Sequence, residues 1–317
     1  MSTASYNCPC CGGPLKFSGE SGKLECTACG NSYEPEALEM MTHEESGDEI
    51  TFANDAKRFD TGEAGMRAYL CKNCGAELMT EDTTTAAECP YCGSPTILPD
   101  RIEGGVKPEK VIPFVVTKEQ AQKQFEDYFK GKKLLPNVFL NSRNRISEMR
   151  RLYVPYWLFS CDTCADMVYD AEKVCTEQKG EWEITRTKHY LVRRKGGMRF
   201  ENIPVDGSVK MDDKLTESLE PYDLSAAIPF QSAVLAGAMA DHADADCDAC
   251  EKRAVERSVE QTMLDTVKDY DTVSERSRRI IAERGSATPA LLPVWLMTTV
   301  KEGKTYTFAV TGQTGKL

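Results

Sequence analysis

The stretch CPCCGGPLKFSGESGKLECTACG, residues 8–30, recurs as CKNCGAELMTEDTTTAAECPYCG, residues 71–93. Both copies contain two CxxC pairs separated by a spacer of the same length, and a glycine follows the second cysteine of every pair. Such a pair forms a tight turn that points two sulfurs at one ion, and glycine supplies the positive φ that the turn needs. The sequence therefore predicts two copies of one metal-binding module.

Four thiolates around one Zn²⁺ make a closed tetrahedral site that has no open position for a substrate. The spacing resembles that of a zinc ribbon, in which two such turns sit on two short hairpins. An iron or iron–sulfur site is the chemical alternative, because four cysteines do not by themselves select the metal. The predicted metal ligands are the four cysteines of each module: Cys8, Cys11, Cys26, Cys29, Cys71, Cys74, Cys89 and Cys92.

Charge and cysteine usage restrict the class of protein. The 317 residues include 14 cysteines and carry a formal net charge of −11. The whole excess of acid lies in residues 1–100, which should repel phosphate backbones. We find neither an apolar secretory leader nor a long apolar span, so we expect a cytoplasmic protein. Since thiols stay reduced there, metal ligation is a better explanation of the cysteines than disulfides.

The fold class predicted is α+β, and we expect four parts. They are a first zinc ribbon at 1–34, an acidic flexible connector at 35–65, a second ribbon at 66–100, and a domain of antiparallel hairpins and helices at 101–317.

Local signals in the last part predict individual elements. Thr117 should begin a helix, with Gln120 completing a capping box. Two glycines at Lys195-Gly196-Gly197 indicate a hairpin turn, and Glu302-Gly303 indicates another. Residues 249–283 read as one long charged helix.

Four further cysteines form two CxxC pairs that lack the following glycine: Cys161, Cys164, Cys247 and Cys250. They make a third Cys₄ zinc site if the fold brings the pairs together. Otherwise they are small buried residues or surface thiols, and a thioredoxin-like redox pair has no strand–CxxC–helix context in its favour.

Two segments echo each other as Pro155-Tyr-Trp157-Leu and Pro293-Val-Trp295-Leu. Each tryptophan is either the aromatic anchor of a buried strand or part of a functional aromatic pocket.

Residues 186–199 are basic and contain no acid. They form either a solvated strand face or a surface that meets an anionic partner. We find no phosphate-binding loop, no nucleophile elbow and no HExxH, so the sequence predicts a protein without enzymatic activity.

A long ordered run of motifs resembles one bacterial family, the TFIIB-type zinc-ribbon-containing proteins, which are often loosely labelled primosomal helicase-like. The motifs are Cys71-Lys-Asn-Cys74-Gly, Cys89-Pro-Tyr-Cys92, Val111-Ile-Pro-Phe114, Tyr153-Val-Pro-Tyr-Trp-Leu158, Ile203-Pro-Val-Asp-Gly207 and Gly312-Gln-Thr-Gly-Lys316. The resemblance implies two zinc ions and a partner such as an SPFH-type scaffold at the inner face of the membrane. Relatives usually continue into membrane-spanning sequence, so we expect this chain to be a shortened or naturally soluble form.

The function expected is therefore that of a zinc-stabilised adaptor or scaffold that binds a protein partner. The alternative is a nucleic-acid-binding zinc-ribbon protein associated with replication or transcription, which the acidic N-terminal third disfavours.

Overall fold

The computed structural model describes residues 7–9, 11–36, 38, 48–59, 66–81, 88–94, 97–100, 105–129, 149–245, 247–301 and 304–317. The chain divides into two compact units. One unit comprises Met1–Glu49, Cys164–Met198 and Gln261–Ile281, and the other comprises Ile50–Thr163, Arg199–Glu260 and Ala282–Leu317. The four-part division predicted from the sequence remains a prediction.

The first cysteine module folds as a small antiparallel sheet of its own. Its strands are β1 (Leu15–Phe17), β2 (Leu24–Cys26) and β3 (Ser32–Tyr33), in that spatial order. The register pairs Leu15 with Cys26 and Leu24 with Tyr33. The short strands hold the two CxxC turns at one end of this sheet.

A larger mixed sheet contains eleven strands among the described residues. They are β4 (Glu49–Ala53), β5 (Met66–Cys71), β6 (Glu77–Glu81), β7 (Ile97–Asp100), β8 (Lys110–Val111), β9 (Arg150–Lys179), β10 (Trp182–Asp206), β11 (Ile228–Pro229), β12 (Met239–Asp241), β13 (Thr272–Lys301) and β14 (Lys304–Thr311). The main path runs β11-β8-β13-β9-β12-β6-β5-β7, while β10 pairs with β9, and β4 and β14 pair with β13. The strands of the second cysteine module, β5, β6 and β7, are therefore members of this sheet.

Most helices in the described residues are short. They are α1 (Lys118–Phe129), α2 (Asp213–Ser218), α3 (Cys247–Val255), a π-helical turn at Glu256–Glu260, α4 (Gln261–Asp265), and 3₁₀ turns at Leu224–Ala226 and Ser232–Leu235. The predicted capping box is confirmed, because Thr117 N donates to Gln120 Oε1 at 2.8 Å and Gln120 N donates to Thr117 Oγ1 at 3.3 Å. Mixed sheet with a few helices confirms the fold class α+β.

The core of the second unit lies on the sheet. One large cluster joins Cys71 and Cys89 to apolar residues of β9 and β13, such as Leu152, Val154 and Leu292. None of the helices in the described segments is long and apolar enough to cross a membrane.

Two predicted elements are wrong. Strand β10 runs without a break through Lys195-Gly196-Gly197, and the turn between β9 and β10 lies at Gly180, where φ is 66°. The helix predicted at 249–283 ends at Asp265, and β13 begins at Thr272. There Arg276 Nε donates to Asp170 on β9 at 2.9 Å, so cross-strand pairing overrides a charge pattern that also suits a helix. The predicted hairpin of β13 and β14 is confirmed by their antiparallel register, which ends with Lys301 opposite Lys304, while the predicted turn residues 302 and 303 lie outside the described residues.

Within the segment 35–65, which the sequence predicts to be a flexible connector, residues 48–59 contain a paired strand and packed aromatic residues. Glu49–Ala53 forms strand β4 and pairs with β13. Phe52 packs edge-to-face on Phe159 with ring centroids 5.3 Å apart, and Phe59 is buried. Phe52 and Phe59 therefore anchor a segment whose composition is otherwise mostly acidic and polar.

Candidate metal centres

Each CxxC pair is held by the same backbone turn. In the first module the nitrogen of Gly12 donates to Cys8 O at 2.8 Å, and that of Gly30 donates to Cys26 O at 3.0 Å. Both glycines have positive φ, 70° and 75°. A residue with a Cβ is strained in that conformation, which explains the glycine after every pair.

The second module repeats these turns. Gly75 N donates to Cys71 O at 2.8 Å, and Gly93 N donates to Cys89 O at 2.9 Å. Both glycines have a φ of 70°. The same local sequence therefore builds the same turn four times.

The turns bring the sulfurs of each module together. In the first module Cys8 Sγ lies 3.6 Å from Cys29 Sγ, and Cys11 Sγ lies 3.5 Å from Cys26 Sγ. All four sulfurs of the group lie within 4.8 Å of one another. In a tetrahedron with Zn–S bonds of ~2.3 Å the sulfurs would be ~3.8 Å apart, whereas a disulfide needs ~2.05 Å. The spacing fits four ligands of one metal ion.

The second group has the same geometry and lies deeper. The Sγ atoms of Cys71 and Cys92 are 3.6 Å apart, and those of Cys74 and Cys89 are 3.7 Å apart. Cys71 and Cys89 are completely buried, and Cys74 and Cys92 are half-buried. In the first group, by contrast, one cysteine of each pair is exposed, namely Cys11 and Cys29.

Side chains from distant parts of the chain fix the second group in the sheet. Lys210 Nζ donates to Cys74 O at 3.0 Å, and an Arg150 guanidinium nitrogen donates to Cys89 O at 3.0 Å. The hydroxyl of Thr298 donates to Pro90 O at 3.1 Å. These contacts make the second group part of the core of its unit.

The donor set suits a soft, divalent ion. Burial raises the pKa of the Cys74 thiol to about 11 and raises the pKa of Cys89 as well. A cation at the centre of the group stabilises the thiolates, so metal binding would release protons. With four sulfurs around it, the ion has no position for a substrate, and the chemistry supported is structural.

The third predicted set of cysteines is not gathered in this way. Of the His, Cys, Asp and Glu side chains in the described residues, the two groups of four above are those whose ligand atoms lie close enough for one ion. Cys161 and Cys164 lie on β9, where Cys161 is buried and Cys164 is exposed, because residues three apart in a strand face opposite sides. Cys247 and Cys250 lie on α3, where the Cys250 thiol contacts Asp206 O at 3.5 Å.

The basic segment 186–199 meets acids of the preceding strand. Arg193 and Lys195 both contact Asp166, and His189 Nδ1 lies 3.1 Å from Glu172. The sequence signal for these partners is in β9, where acids recur on the face opposite the buried residues. The stretch is basic in the sequence, but in the structure several of its cations lie beside carboxylates of β9.

Two buried carboxyl groups carry no motif in the sequence. Asp241 accepts hydrogen bonds from the hydroxyls of Tyr91 and Ser208 and from the nitrogen of His242. Oδ1 of Asp206 accepts from Ser208 N at 2.9 Å, while Oδ2 finds no partner within the described part of the chain. Burial raises the pKa of Asp206 to about 7 and that of Asp241 to about 6. Both groups therefore titrate near neutrality, out of contact with solvent.

Comparison with known proteins gives one informative similarity. Over 316 residues the chain is 34% identical to "Uncharacterized protein YdjG" of Bacillus subtilis (strain 168), an alignment that covers 99% of this chain and 88% of the relative. Neither a protein-family model nor a solved structure matches the chain. Because identity at that level extends along nearly the whole of both proteins, this chain belongs to the same family as Bacillus subtilis YdjG.

Proposed function

We propose that this protein is a zinc-stabilised adaptor without enzymatic activity, which binds a protein partner in the cytoplasm, at or near the inner face of the membrane. In this proposal both groups of four cysteines are zinc ribbons of the TFIIB type. The observation that carries it is the complete ligand set of each group, four sulfurs within 4.8 Å. An ion bound by such a set has no open coordination position for a substrate, so its role is structural.

The metal supplies stability that a small module lacks. The first module has three short strands, and its buried residues are few. A fold of that size usually needs a metal or disulfides, because its apolar core is too small to offset the entropy of ordering the chain. Zinc would therefore make the first module a rigid surface for recognition.

The first module also offers an apolar contact. Phe17 on β1 is 63% exposed, although aromatic side chains usually bury most of their surface. Aromatic residues at the centre of an interface commonly carry much of its binding energy. We therefore place the partner contact of the adaptor on the face of the first module that carries Phe17.

The charge pattern does not favour a nucleic-acid partner. The net charge of −11 arises in the N-terminal third, and each Zn²⁺ with four thiolates adds a formal charge of −2. Arg193 and Lys195, two cations of the basic segment 186–199, already contact Asp166. A phosphate backbone would have to displace that carboxylate.

The experiment is affinity purification of the tagged full-length protein from its own cells, with crosslinking and mass spectrometry. Phe17→Ala and Cys175→Ser are compared with the wild type, since Cys175 is an exposed thiol outside both groups. We expect a protein that crosslinks to the first module in the wild type and in Cys175→Ser, and is lost in Phe17→Ala although zinc is retained. Recovery of nucleic acid that nuclease removes, with affinity that falls steeply with salt, would contradict the proposal.

A further inference from the structure

A cavity of about 390 Å³ lies in the second unit, and none of the eight predicted metal ligands lines it. Three stretches of chain form its walls. Asn54 to Arg58 run antiparallel to Gly105 and Val106, and the third side is lined by His242–Ala245 and by Cys247. The size is within the range of pockets that hold small molecules, which is roughly 300–1,000 Å³.

The wall segments are fixed to the fold. Phe59 N donates to Gly105 O at 2.9 Å, which holds the first two segments together. The nitrogens of Asp244 and Ala245 both donate to Gly207 O at 3.0 Å, and Gly207 N in turn donates to Pro155 O at 2.9 Å. The cavity is therefore shaped by backbone contacts and not by side chains alone.

Trp157 on β9 lines this cavity and is 3% exposed. Its indole Nε1 is buried and has no hydrogen-bond partner among the residues that the structure describes. A buried donor without a partner has lost its hydrogen bonds to water and gained none in return, so nearly all such groups in folded proteins have partners. The echoing residue Trp295 follows that rule, since its Nε1 donates to Val116 O at 2.9 Å.

The surrounding groups favour an oxygen acceptor. The amide oxygen of Asn54 already accepts from Ala56 N, which leaves its NH₂ as a donor. Oδ1 of Asp244 accepts from Val209 N at 2.7 Å, and the Cys247 thiol contacts Glu251. Arg58 and His242 add polar nitrogen atoms to the lining, and apolar residues such as Val106 and Ala245 pack beside Trp157.

A glycine makes room for one of the walls. A Cβ built on Gly105 would lie 2.6 Å from Cε1 of His242, so a side chain here would push the imidazole away. The His242 ring therefore lies directly against the backbone of Gly105, a close approach that glycine permits.

The geometry points to a binding site for a small molecule that bears a carboxamide or carboxylate oxygen, which accepts a hydrogen bond from Trp157 Nε1. An sp² oxygen of the small polar molecule accepts the hydrogen bond of the buried indole. The rest of the ligand lies between the apolar residues Val106 and Ala245 and the nitrogen donors of Asn54, Arg58 and His242. This site is independent of metal binding and of the proposed adaptor function.

The test uses the three tryptophans of the chain as reporters. Their indole N–H resonances in a ¹H–¹⁵N spectrum are assigned from Trp157→Phe, Trp182→Phe and Trp295→Phe. The full-length metal-loaded protein is then titrated separately with acetamide, sodium acetate and methylammonium chloride. Trp182, which is 78% exposed, reports non-specific solvent effects, and Trp295 reports that the fold is intact.

We expect a saturable shift of the Trp157 resonance with acetamide, acetate or both, and the arm that saturates at the lower concentration identifies the ligand chemistry. Ala243→Leu and Ala56→Leu place a larger side chain in the lining and should abolish the saturation, whereas Ala226→Leu at an exposed position should not. A Trp157 shift that rises linearly like that of Trp182, saturation with methylammonium alone, or saturation that survives in a folded blocking variant would overturn the proposal.

Discussion

Arg193 makes two parallel hydrogen bonds to the carboxylate of Asp166, from Nε to Oδ1 at 2.7 Å and from Nη2 to Oδ2 at 2.6 Å. Lys195 Nζ lies 3.4 Å from the same carboxylate. Such a two-pronged pair is more specific and stronger than a single contact. The pair joins β9 to β10 within the basic segment 186–199, for which the sequence allowed a surface that meets an anionic partner. Arg193 and Lys195 instead stabilise the pairing of the two strands.

The Arg193–Asp166 pair should contribute measurably to stability. The Arg193 hydrogen bonds hold the pKa of Asp166 below its usual value, as expected for a stabilised carboxylate. A double-mutant cycle with Asp166→Asn and Arg193→Gln at pH 7 should give a coupling of about 1 kcal/mol, because the pair is bidentate although partly solvated.

The matched control is Lys268 and Asp265, a single contact at 3.2 Å between side chains that are 69% and 47% exposed. Urea unfolding of the same cycle there should give a clearly smaller coupling, because solvent screens an exposed pair. Equal coupling at both places would mean that the bidentate geometry adds nothing.

The metal content should be two zinc ions per chain. Elemental analysis of protein purified without added metal tests this, since both complete sets of four sulfurs are preformed. Three ions would support the third site predicted at Cys161, Cys164, Cys247 and Cys250. Iron in place of zinc would leave the ligand sets correct and the metal assignment wrong.

Metal should leave the two groups at different rates. A chromogenic chelator should remove the ion of the first group well before that of the second, because Cys11 and Cys29 are exposed whereas Cys71 and Cys89 are buried. Release followed in time should show two phases of equal amplitude, and Cys11→Ser should eliminate the fast one.

Loss of the second site should have the wider structural effect. Cys89 belongs to a large apolar cluster that also contains residues of β9 and β13. Hydrogen exchange of Cys89→Ala should therefore show lost protection in β5, β6 and the strands packed on them, while Cys11→Ala should affect the first module alone. Retained structure around Cys71 in Cys89→Ala would contradict a structural role for the ion.

Asp206 should make stability depend on pH between 5 and 8. Burial raises the pKa of Asp206 to about 7, well above an unfolded value near ~3.9. A group with a raised pKa stabilises the fold fully below its unfolded pKa, and that stability is lost as the pH rises through the folded value. An asparagine side chain at this position is neutral at every pH, so Asp206→Asn should gain about 2 kcal/mol relative to the wild type between pH 5 and pH 8.

Urea unfolding of both proteins at the two pH values measures that difference. The buried Asp241 is present in both and largely cancels. A relative stability of Asp206→Asn that does not change with pH would show that Asp206 is ionised in the fold at pH 5, despite its burial.

Sequence alone determined the features that are local. The CxxC turns depend on a few consecutive residues and a glycine with positive φ, so the spacing identified both groups of four cysteines. The capping box at Thr117 and the hairpin pairing of β13 with β14 are likewise set by neighbours in the chain. The charge count placed the excess of acid in residues 1–100, but the acidic composition around residue 50 gave no indication of strand β4.

Tertiary structure decided whatever depends on residues far apart in the chain. Cys161 and Cys164 share the CxxC spacing of the metal turns, but they lie in a long strand and face opposite sides of it. Lys195-Gly196-Gly197 remains in a strand because β9 and β10 make contacts on both sides of it, Arg193–Asp166 before it and Asn202 N to Ser160 Oγ after it. Trp157 and Trp295 both lie in a Pro-x-Trp-Leu motif, yet their indole N–H groups differ. That of Trp295 donates to Val116 O, whereas that of Trp157 has no partner in the described structure. The motif could not reveal this difference, because a partner for either indole must come from a distant part of the chain.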